Sequence, residues 1–539
     1  MTTHNTTPAP SPLKKVCDVA IPCLILLASV GILIYYIVGP AEGYLHSDYT
    51  DTLWWAQATY DSHRLISENF HYAALLPFGG SLLMLPFIPL FGVSMTTHNI
   101  GMILFALLFI ASLIFLARSL RFNWYASSAL VFIVTMLLSS SDKLREIMWG
   151  HVIYYSLGLL FFCVGMGLVI RLQEGAPSTK RPLIPAILLF LFTAATATNG
   201  MQSLITYILP IVGALVLERI FAKEETALFK TRTVKNLATI GIYLFAALLG
   251  LLLLKWMQGD VSAGYASAYS TYSGMDEWLS NAQLFLKHWF SLLGISVEAR
   301  EPIVSLKSVG TIIRIVTALF LLVFPCLCLL FYNKLTSRGV RTVLISHFVL
   351  SALIMYAYVF GLLASAAWRL TPMLGSAAIT SAVCAIELIR PCGIEIPKRV
   401  GLLALCVLLM APCLSFGTMA KMPADYGRDN HLHTLANALE EHELEYGYAD
   451  FWLAQSITLL SDSRVKVRNV TIEIEEVTPY VYQSQYTWFD DQPDVEEYFL
   501  IVTNYQARNL GMWLDERTDL VRTIPLEDYT IYVFDNNLF

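Results

Sequence analysis

The sequence predicts a polytopic α-helical membrane protein of about eleven transmembrane helices that carries a C-terminal extracytoplasmic α/β domain. Three observations carry this. The chain is 56% hydrophobic and only 14% charged, and its apolar residues fall in runs of about 20, the length that crosses a bilayer. The turns between those runs alternate between basic and non-basic, which assigns sides by the positive-inside bias. From Lys421 onward the pattern changes: 22 Asp+Glu face 8 Lys+Arg, a charge of −14, so the part before it carries +8 within a total of −6. A basic membrane region thus carries an acidic soluble domain, and no basic footprint suits nucleic acid.

The first 15 residues are rich in Thr and Pro and read as a disordered tail. Lys14-Lys15 place the start of helix 1 (16–38) in the cytoplasm, and the run is long enough to be a retained anchor. The loop 39–72 is then outside. The stretch 73–92 is apolar, but Pro77, Gly79, Gly80, Pro86 and Pro89 interrupt it. Counting it as a span would put the Arg118–Arg121 turn outside, so it reads as re-entrant or interfacial. Helices 2 to 6 follow at about 98–117, 123–140, 151–170, 183–198 and 201–217, with Arg118, Arg121, Arg171, Lys180, Arg181, Arg219 and Lys223 inside. Helix 7 (about 237–254) leads to a second long outer loop, 255–308. Helices 8 to 11, at about 310–331, 342–363, 373–389 and 400–418, complete a membrane domain spanning 16–420. All nine cysteines precede Lys421, so no disulfide framework is expected in the tail, and Cys326 and Cys328 read as small buried hydrophobes.

The acidic domain, 421–539, mixes periods. Leu432, Leu435, Ala436 and Leu439 mark a helix over 430–444. Gly447-Tyr448 reads as a break, and Asp450 as the cap of a short helix over 451–460. Strands are expected at Arg464–Val470, Thr471–Val477, Tyr498–Val502 and Tyr529–Phe534, with a helix near Tyr505–Leu514. No P-loop, dinucleotide fingerprint, H-E-x-x-H or G-x-S-x-G is present, which weighs against an ATP-driven pump and common soluble chemistries.

Chemistry concentrates outside the membrane. Asp48 and Asp51 are three apart, on one face of any helix. A carboxylate there can serve as a general base toward an acceptor hydroxyl, or the pair could hold a divalent cation; the plainer reading is a solvated loop or a helix cap. Trp54 and Trp55 follow, as aromatics do at a membrane–water boundary, and the loop runs on polar to His71. Glu146 and His151 lie at a span mouth on the same side, while Asp142, Lys143 and Arg145 read as a solvated turn with snorkelling cations. Asn199-Gly200 is a polar knot between two apolar helices, or merely a tight turn. Arg369, in Ala-Ala-Trp-Arg-Leu-Thr-Pro, suits phosphate through bidentate contacts, or else lipid headgroups.

One basic-flanked span, an outer loop with an early acidic motif, many further spans and an outer soluble domain resemble the GT-C membrane glycosyltransferases. That family includes the protein mannosyltransferases, oligosaccharyltransferases and lipid A aminoarabinose transferase. The matching residues are Ser47-Asp48-Tyr49-Thr50-Asp51 with Trp54-Trp55, and the run Phe70–Gly80. The family often shows adjacent acids or D-x-D, whereas the spacing here is D-x-x-D. The resemblance implies a polyprenyl-phosphate-linked sugar donor used on the outer face, and a cell-surface glycan, lipid or protein acceptor. Asp48 would be the base, with inversion at the sugar carbon, and Asp51 its neighbour in the catalytic pair. Arg369 and His151 would stabilise the departing phosphate, and Glu146, Trp54, Asn199 and His71 would line the substrate site. No cofactor is implied beyond a divalent metal that the two carboxylates could hold. A glycan polymerase or ligase, and a lipid-linked glycan transporter, are the competing expectations; no internal repeat of the transporter kind is evident.

Overall fold

The computed structural model describes residues 12–174, 183–221, 226–263, 271–296, 302–390 and 395–539. Residues 1–11 of the expected tail, Lys180, Arg181 and Lys223 of the basic turns, and 264–270 and 297–301 of the second outer loop lie outside the described residues.

The helices run α1 (Pro12–Val38), α2 (Asp51–Ser62), α3 (Met95–Ser119), α4 (Trp124–Leu137), α5 (Tyr154–Glu174) and α6 (Leu183–Ala197). They continue with α7 (Met201–Ile220), α8 (Thr226–Gln258), α9 (Trp278–Leu292) and α10 (Leu306–Leu330). The membrane part ends with α11 (Arg338–Phe360), α12 (Thr371–Ile389) and α13 (Glu395–Lys421). Polar caps start several of them: Ser94 accepts from Thr97, Asn123 from Ala126 and Ser337 from Val340.

Every expected span position holds a helix, but nine helices among the described residues are long and apolar enough to cross a membrane. The shortfall lies in α4 and α6. A 15-residue α6 is about 22 Å long, less than a hydrocarbon core of about 30 Å. The chain turns by 117° between α4 and the Asp142–Gly150 helix, and that bent pair would make a tenth span. The stretch Ser81–Phe91 is a short apolar helix, too short to cross.

The bundle has a centre and a rim. In α12, 89% of the apolar window is buried, against 28% in α8. Small residues of α12, from Gly375 through Ser376, Ala377 and Ala378 to Ser381, let neighbouring helices approach closely.

The basic turns gather at one end. Arg390 Nη2 donates to the Leu120 carbonyl at 3.2 Å, Arg171 Nε to Ser119 Oγ at 2.9 Å, and Lys235 Nζ to the Gln173 carbonyl at 3.3 Å. Arg338 pairs with Glu218 at 2.6 Å. The first loop and the C-terminal domain stand at the other end, where Met95 N donates to Asp462 Oδ1 at 2.9 Å and Asn430 Nδ2 to the Gly43 carbonyl at 3.4 Å.

The C-terminal domain is a six-stranded sheet with two helices, α14 (His431–Glu441) and α15 (Phe451–Leu460), on one face. Its strands are β1 (Tyr446–Ala449), β2 (Lys466–Glu473), β3 (Glu476–Pro479), β4 (Tyr498–Thr503), β5 (Leu520–Pro525) and β6 (Tyr529–Phe534). The order is β3-β2-β1-β4-β6-β5, with β1 parallel to β2 and β4 and the other pairs antiparallel. β4 is buried on both faces, Phe499 and Ile501 toward the helices and Tyr498, Leu500 and Val502 away from them. Asp450 caps α15, accepting from Trp452 N and Leu453 N.

Two local expectations are corrected, and one strand was not foreseen. Gly447-Tyr448 is no break but part of the inner strand β1, pairing with Phe499 and Leu500. Thr471–Val477 is not a separate strand: β2 runs to Glu473 and reverses at Glu475 (φ 57°) into β3. β5, an edge strand with mostly exposed residues, has too little alternation to stand out in the sequence.

Candidate active site at the first loop

The loop 39–72 folds into compact structure. A 3-10 turn, Ser47–Thr50, runs straight into α2. Residues three apart nearly eclipse in such a turn, which keeps Asp48 and Asp51 close. The turn rests on the Glu146–Gly150 segment, which is a π-helix, an arrangement frequent at functional sites. Gly150 is required there, because a Cβ on it would collide with the Tyr49 ring.

This contact assembles four of the residues singled out from the sequence. Asp51 Oδ2 lies 3.7 Å from His151 Nε2, and His46 bridges to Glu146 at 3.1 Å with its Nδ1 3.9 Å from Asp48 Oδ2. Lys143 Nζ donates to Glu146 Oε1 at 2.7 Å and sits 4.7 Å from the centre of the Trp368 ring. That brings in the neighbour of Arg369, itself buried, with Nη1 donating to the Leu362 carbonyl at 2.7 Å.

The two carboxylates have different environments. The Asp48 side chain is 37% exposed and that of Asp51 only 7%. Burial, reinforced by the charge of Asp48, pushes the Asp51 carboxyl well above the usual range, which favours its neutral form. Burial also pushes His151 down to about 4, so it is neutral near pH 7. Burial alone would raise Glu146, but hydrogen bonds and charge from His46 and Lys143 outweigh it and hold the carboxylate below its ordinary value. Asp51 Oδ1, both nitrogens of His151, His46 Nδ1 and the Tyr49 hydroxyl are buried without a hydrogen-bond partner. Buried polar groups normally have partners, so this concentration of groups without a protein partner makes the cluster the candidate site.

The other face of the same segment is fully engaged by the C-terminal domain. Ser47 Oγ donates to the Phe451 carbonyl, Thr50 Oγ1 to Gln455 Oε1 at 2.7 Å, and Trp55 Nε1 to Gln483 Oε1 at 2.8 Å. Gln455 Nε2 closes the network on the Gln483 carbonyl at 2.7 Å. Gln483 is held in the left-handed region (φ 52°), a conformation uncommon for a residue with a side chain.

Two expectations are corrected by this arrangement, and two further candidate residues are placed. Trp54 and Trp55 are not boundary anchors: they are 5% and 3% exposed, buried against Trp488 and Gln483. Arg145 does not snorkel; it is 2% exposed, pairs with Asp142, and donates to the Ser139 carbonyl at 2.9 Å. The His71 backbone pairs with the domain, its N–H donating to the Ser484 carbonyl at 2.9 Å and its carbonyl accepting from Gln483 N at 2.8 Å, and its ring is edge-on to Tyr486. Asn199 is engaged by the backbone of Phe78, with Oδ1 accepting from Phe78 N at 3.0 Å and Nδ2 donating to the Phe78 carbonyl at 2.9 Å. It fixes the short stretch before Ser81. Sequence reasoning misses His46 and misassigns Lys143. The available signals were the position of His46 two before Asp48 and the i, i+3 spacing of Lys143 and Glu146.

A divalent cation finds no ready cage: no three His, Cys, Asp or Glu side chains converge as ligands among the described residues.

Comparison with solved structures sets this site in a known architecture. The chain is similar to ArnT from Cupriavidus metallidurans bound to undecaprenyl phosphate, with a TM-score of 0.54 at 12% identity, covering 97% of this chain and 98% of that one. The apo state of the same protein gives 0.45 at 14% identity, covering 95% and 98%. The apo form of the Archaeoglobus fulgidus oligosaccharyltransferase gives 0.46 at 10% identity, covering 85% of this chain and 65% of that one. No family model and no curated protein matches the chain. The likeness to undecaprenyl-phosphate-bound ArnT over nearly the whole of both chains defines the architecture: this is a membrane protein of the GT-C fold.

Proposed function

We propose that the chain is a membrane glycosyltransferase that moves a sugar from a polyprenyl-phosphate carrier to an acceptor hydroxyl, at the end of the bundle that holds the first loop. The observation that carries this is the cluster of Asp48, Asp51, His46, Glu146 and His151, under-satisfied and walled by the C-terminal domain, on the GT-C fold. Binding of undecaprenyl phosphate by ArnT supports the choice of carrier.

In this reading Asp48, the exposed member of the pair, removes the acceptor proton as the hydroxyl oxygen attacks the anomeric carbon. The bond from that carbon to the phosphate oxygen breaks on the opposite face, and the sugar is inverted. His46, held by Glu146 at 3.1 Å, keeps its Nδ1 at ion-pair distance, 3.9 Å, from Asp48. Lys143, over the ring of Trp368, and Arg369, next to Trp368 in sequence, neutralise the departing phosphate. Asp51, kept neutral by burial, is a hydrogen-bond donor rather than a second base.

The test is lipid capture followed by transfer. Mass spectrometry of lipid co-purified with the protein should find a polyprenyl phosphate, and the pure protein should transfer a labelled sugar from it. Arg369→Lys should lose activity although charge is kept, because the planar fork is gone. Full activity in both Arg369→Lys and Arg369→Ala would move this arginine out of the phosphate site, and absence of both lipid and transfer would refute the reading.

A further inference from the structure

A cavity of about 280 Å³ lies between α2 and the C-terminal domain, and the transfer chemistry above does not use it. Its size is near the lower end of small-molecule sites, about 300–1,000 Å³. Trp54 and Asp61 line it from one face of α2, seven residues apart, and Lys466, Arg468, Gln485 and Trp488 line it from the domain. Trp54 comes one helical turn after Asp51, so the cavity and the carboxylate cluster share a helix.

Arg468 is the unusual wall. It is 7% exposed, stacked 4.0 Å from the Trp488 ring centre, with Tyr446 and Trp54 at 5.4 and 5.6 Å. Its Nε donates to the Tyr446 hydroxyl at 3.2 Å, but its Nη1 is buried without a partner, as is Trp54 Nε1. Four other arginines of the domain pair with carboxylates: Arg428 with Glu42, Arg464 with Glu440, Arg517 with Asp519 and Arg522 with Glu497, at 2.7 to 2.9 Å. Among the described residues Arg468, buried as those four are not, has no carboxylate partner. A buried guanidinium without a counter-charge is costly, and an acidic domain of net −14 offers many carboxylates that could have been placed there. Lys466 adds a second cation at the rim, and the single acid, Asp61, already accepts from Gln57 Nε2 at 2.8 Å.

We propose that this cavity binds an anionic sugar unit of the acceptor, a ring carrying a carboxylate or a phosphate. The anion meets Arg468 and Lys466, the ring hydroxyls reach Trp54 Nε1 and Gln485, and the apolar ring face lies on the aromatic wall. The word acceptor rests on the transfer reading above; binding of the anionic sugar does not. A glycan held here is registered along α2, with its next unit toward Asp48.

The experiment is direct binding by the full-length protein in detergent. The probes are a fluorescent disaccharide ending in glucuronic acid, one ending in glucose 6-phosphate, and one ending in glucose. At least one acidic probe should saturate binding and be preferred over the neutral one by about tenfold or more. Arg468→Gln should abolish that preference. Lys466→Glu, at an exposed rim position, should weaken the acidic probe several-fold and leave the neutral one unchanged, and it serves if Arg468→Gln does not fold. Preference for the carboxylate names a uronic acid and preference for the phosphate a sugar phosphate; either sustains the proposal. No saturable binding of either acidic probe, or equal binding of the neutral one, overturns it. Acid-sugar binding without transfer would remove the transfer reading and keep this site, whereas transfer without acid-sugar binding would do the reverse.

Discussion

Two buried polar clusters stand at opposite ends of the bundle, and they are built on opposite terms. At the basic end, Glu218 accepts from Arg338 Nε at 2.6 Å, Arg338 Nη2 at 2.8 Å and Asn236 Nδ2 at 3.2 Å. Asn236 in turn donates to the Leu215 carbonyl at 2.9 Å and accepts from Gln173 at 3.1 Å. At the other end Asp51, His151, His46 and Tyr49 leave buried polar atoms unpartnered. A satisfied network holds helices together, whereas an unsatisfied one stores a cost that a substrate can relieve. On the proposed function, the contrast is one between charge used for architecture and charge used for transfer.

The comparison can be broken by removing one carboxylate at each end. Glu218→Ala strands the Arg338 guanidinium and should destabilise the protein by about 3–5 kcal/mol, read as thermal unfolding in detergent. Asp51→Asn replaces a carboxyl that burial already favours as neutral, so it should unfold near the wild-type temperature. A larger loss for Asp51→Asn than for Glu218→Ala would invert the assignment.

Protonation sharpens the same contrast. His151 is held at about 4 in the folded protein, below its unfolded value of about 6.5. Its contribution is therefore fully present above about pH 6.5 and is lost as pH falls toward 4. The loss is on the order of 3 kcal/mol at most. His151→Gln should flatten the fall in unfolding temperature across that window, and an unchanged slope would show that another group titrates there.

The smallest expected effect tests the wall between site and domain. Gln483→Ala removes the acceptor for Trp55 Nε1 and Ala73 N and should cost about 1–2 kcal/mol. Gln483→Gly loses the same bonds but adopts the left-handed backbone without strain. It should therefore be at least as stable as the alanine variant. Transfer should fall in both, because α2 is held at its start by this network. Unchanged transfer would make the domain a passive cover.

The sequence made one side of this site readable and hid the other. Asp48, Asp51, Glu146 and His151 could be grouped because alternating basic turns put their loops on one side, and structure pairs Asp51 with His151 and links Asp48 to Glu146 through His46. The burial of Trp54 and Trp55 could not be read, because their partners come from far along the chain: Trp55 and Gln483 are 428 residues apart. Two tryptophans before a polar loop look alike whether they meet lipid or a folded domain. The span positions were legible from hydropathy, as was the short α6, but the early end of α4 was not, since Leu138 turns out of the helix where hydropathy alone would carry the span to 140.

The central claim is that Asp48 is the base while Asp51 is a buried, neutral partner. Single-turnover transfer from a labelled polyprenyl-phosphate sugar, in detergent, tests it with Asp48→Asn and Asp51→Asn side by side. Asp48→Asn keeps shape and hydrogen bonding but cannot take a proton, so it should bind donor normally and transfer at least about a hundredfold more slowly. Asp51→Asn should be milder. Near-wild-type transfer by Asp48→Asn with an inactive Asp51→Asn would contradict the assignment and move the base to Asp51, and near-wild-type transfer by both would take the first loop out of the chemistry.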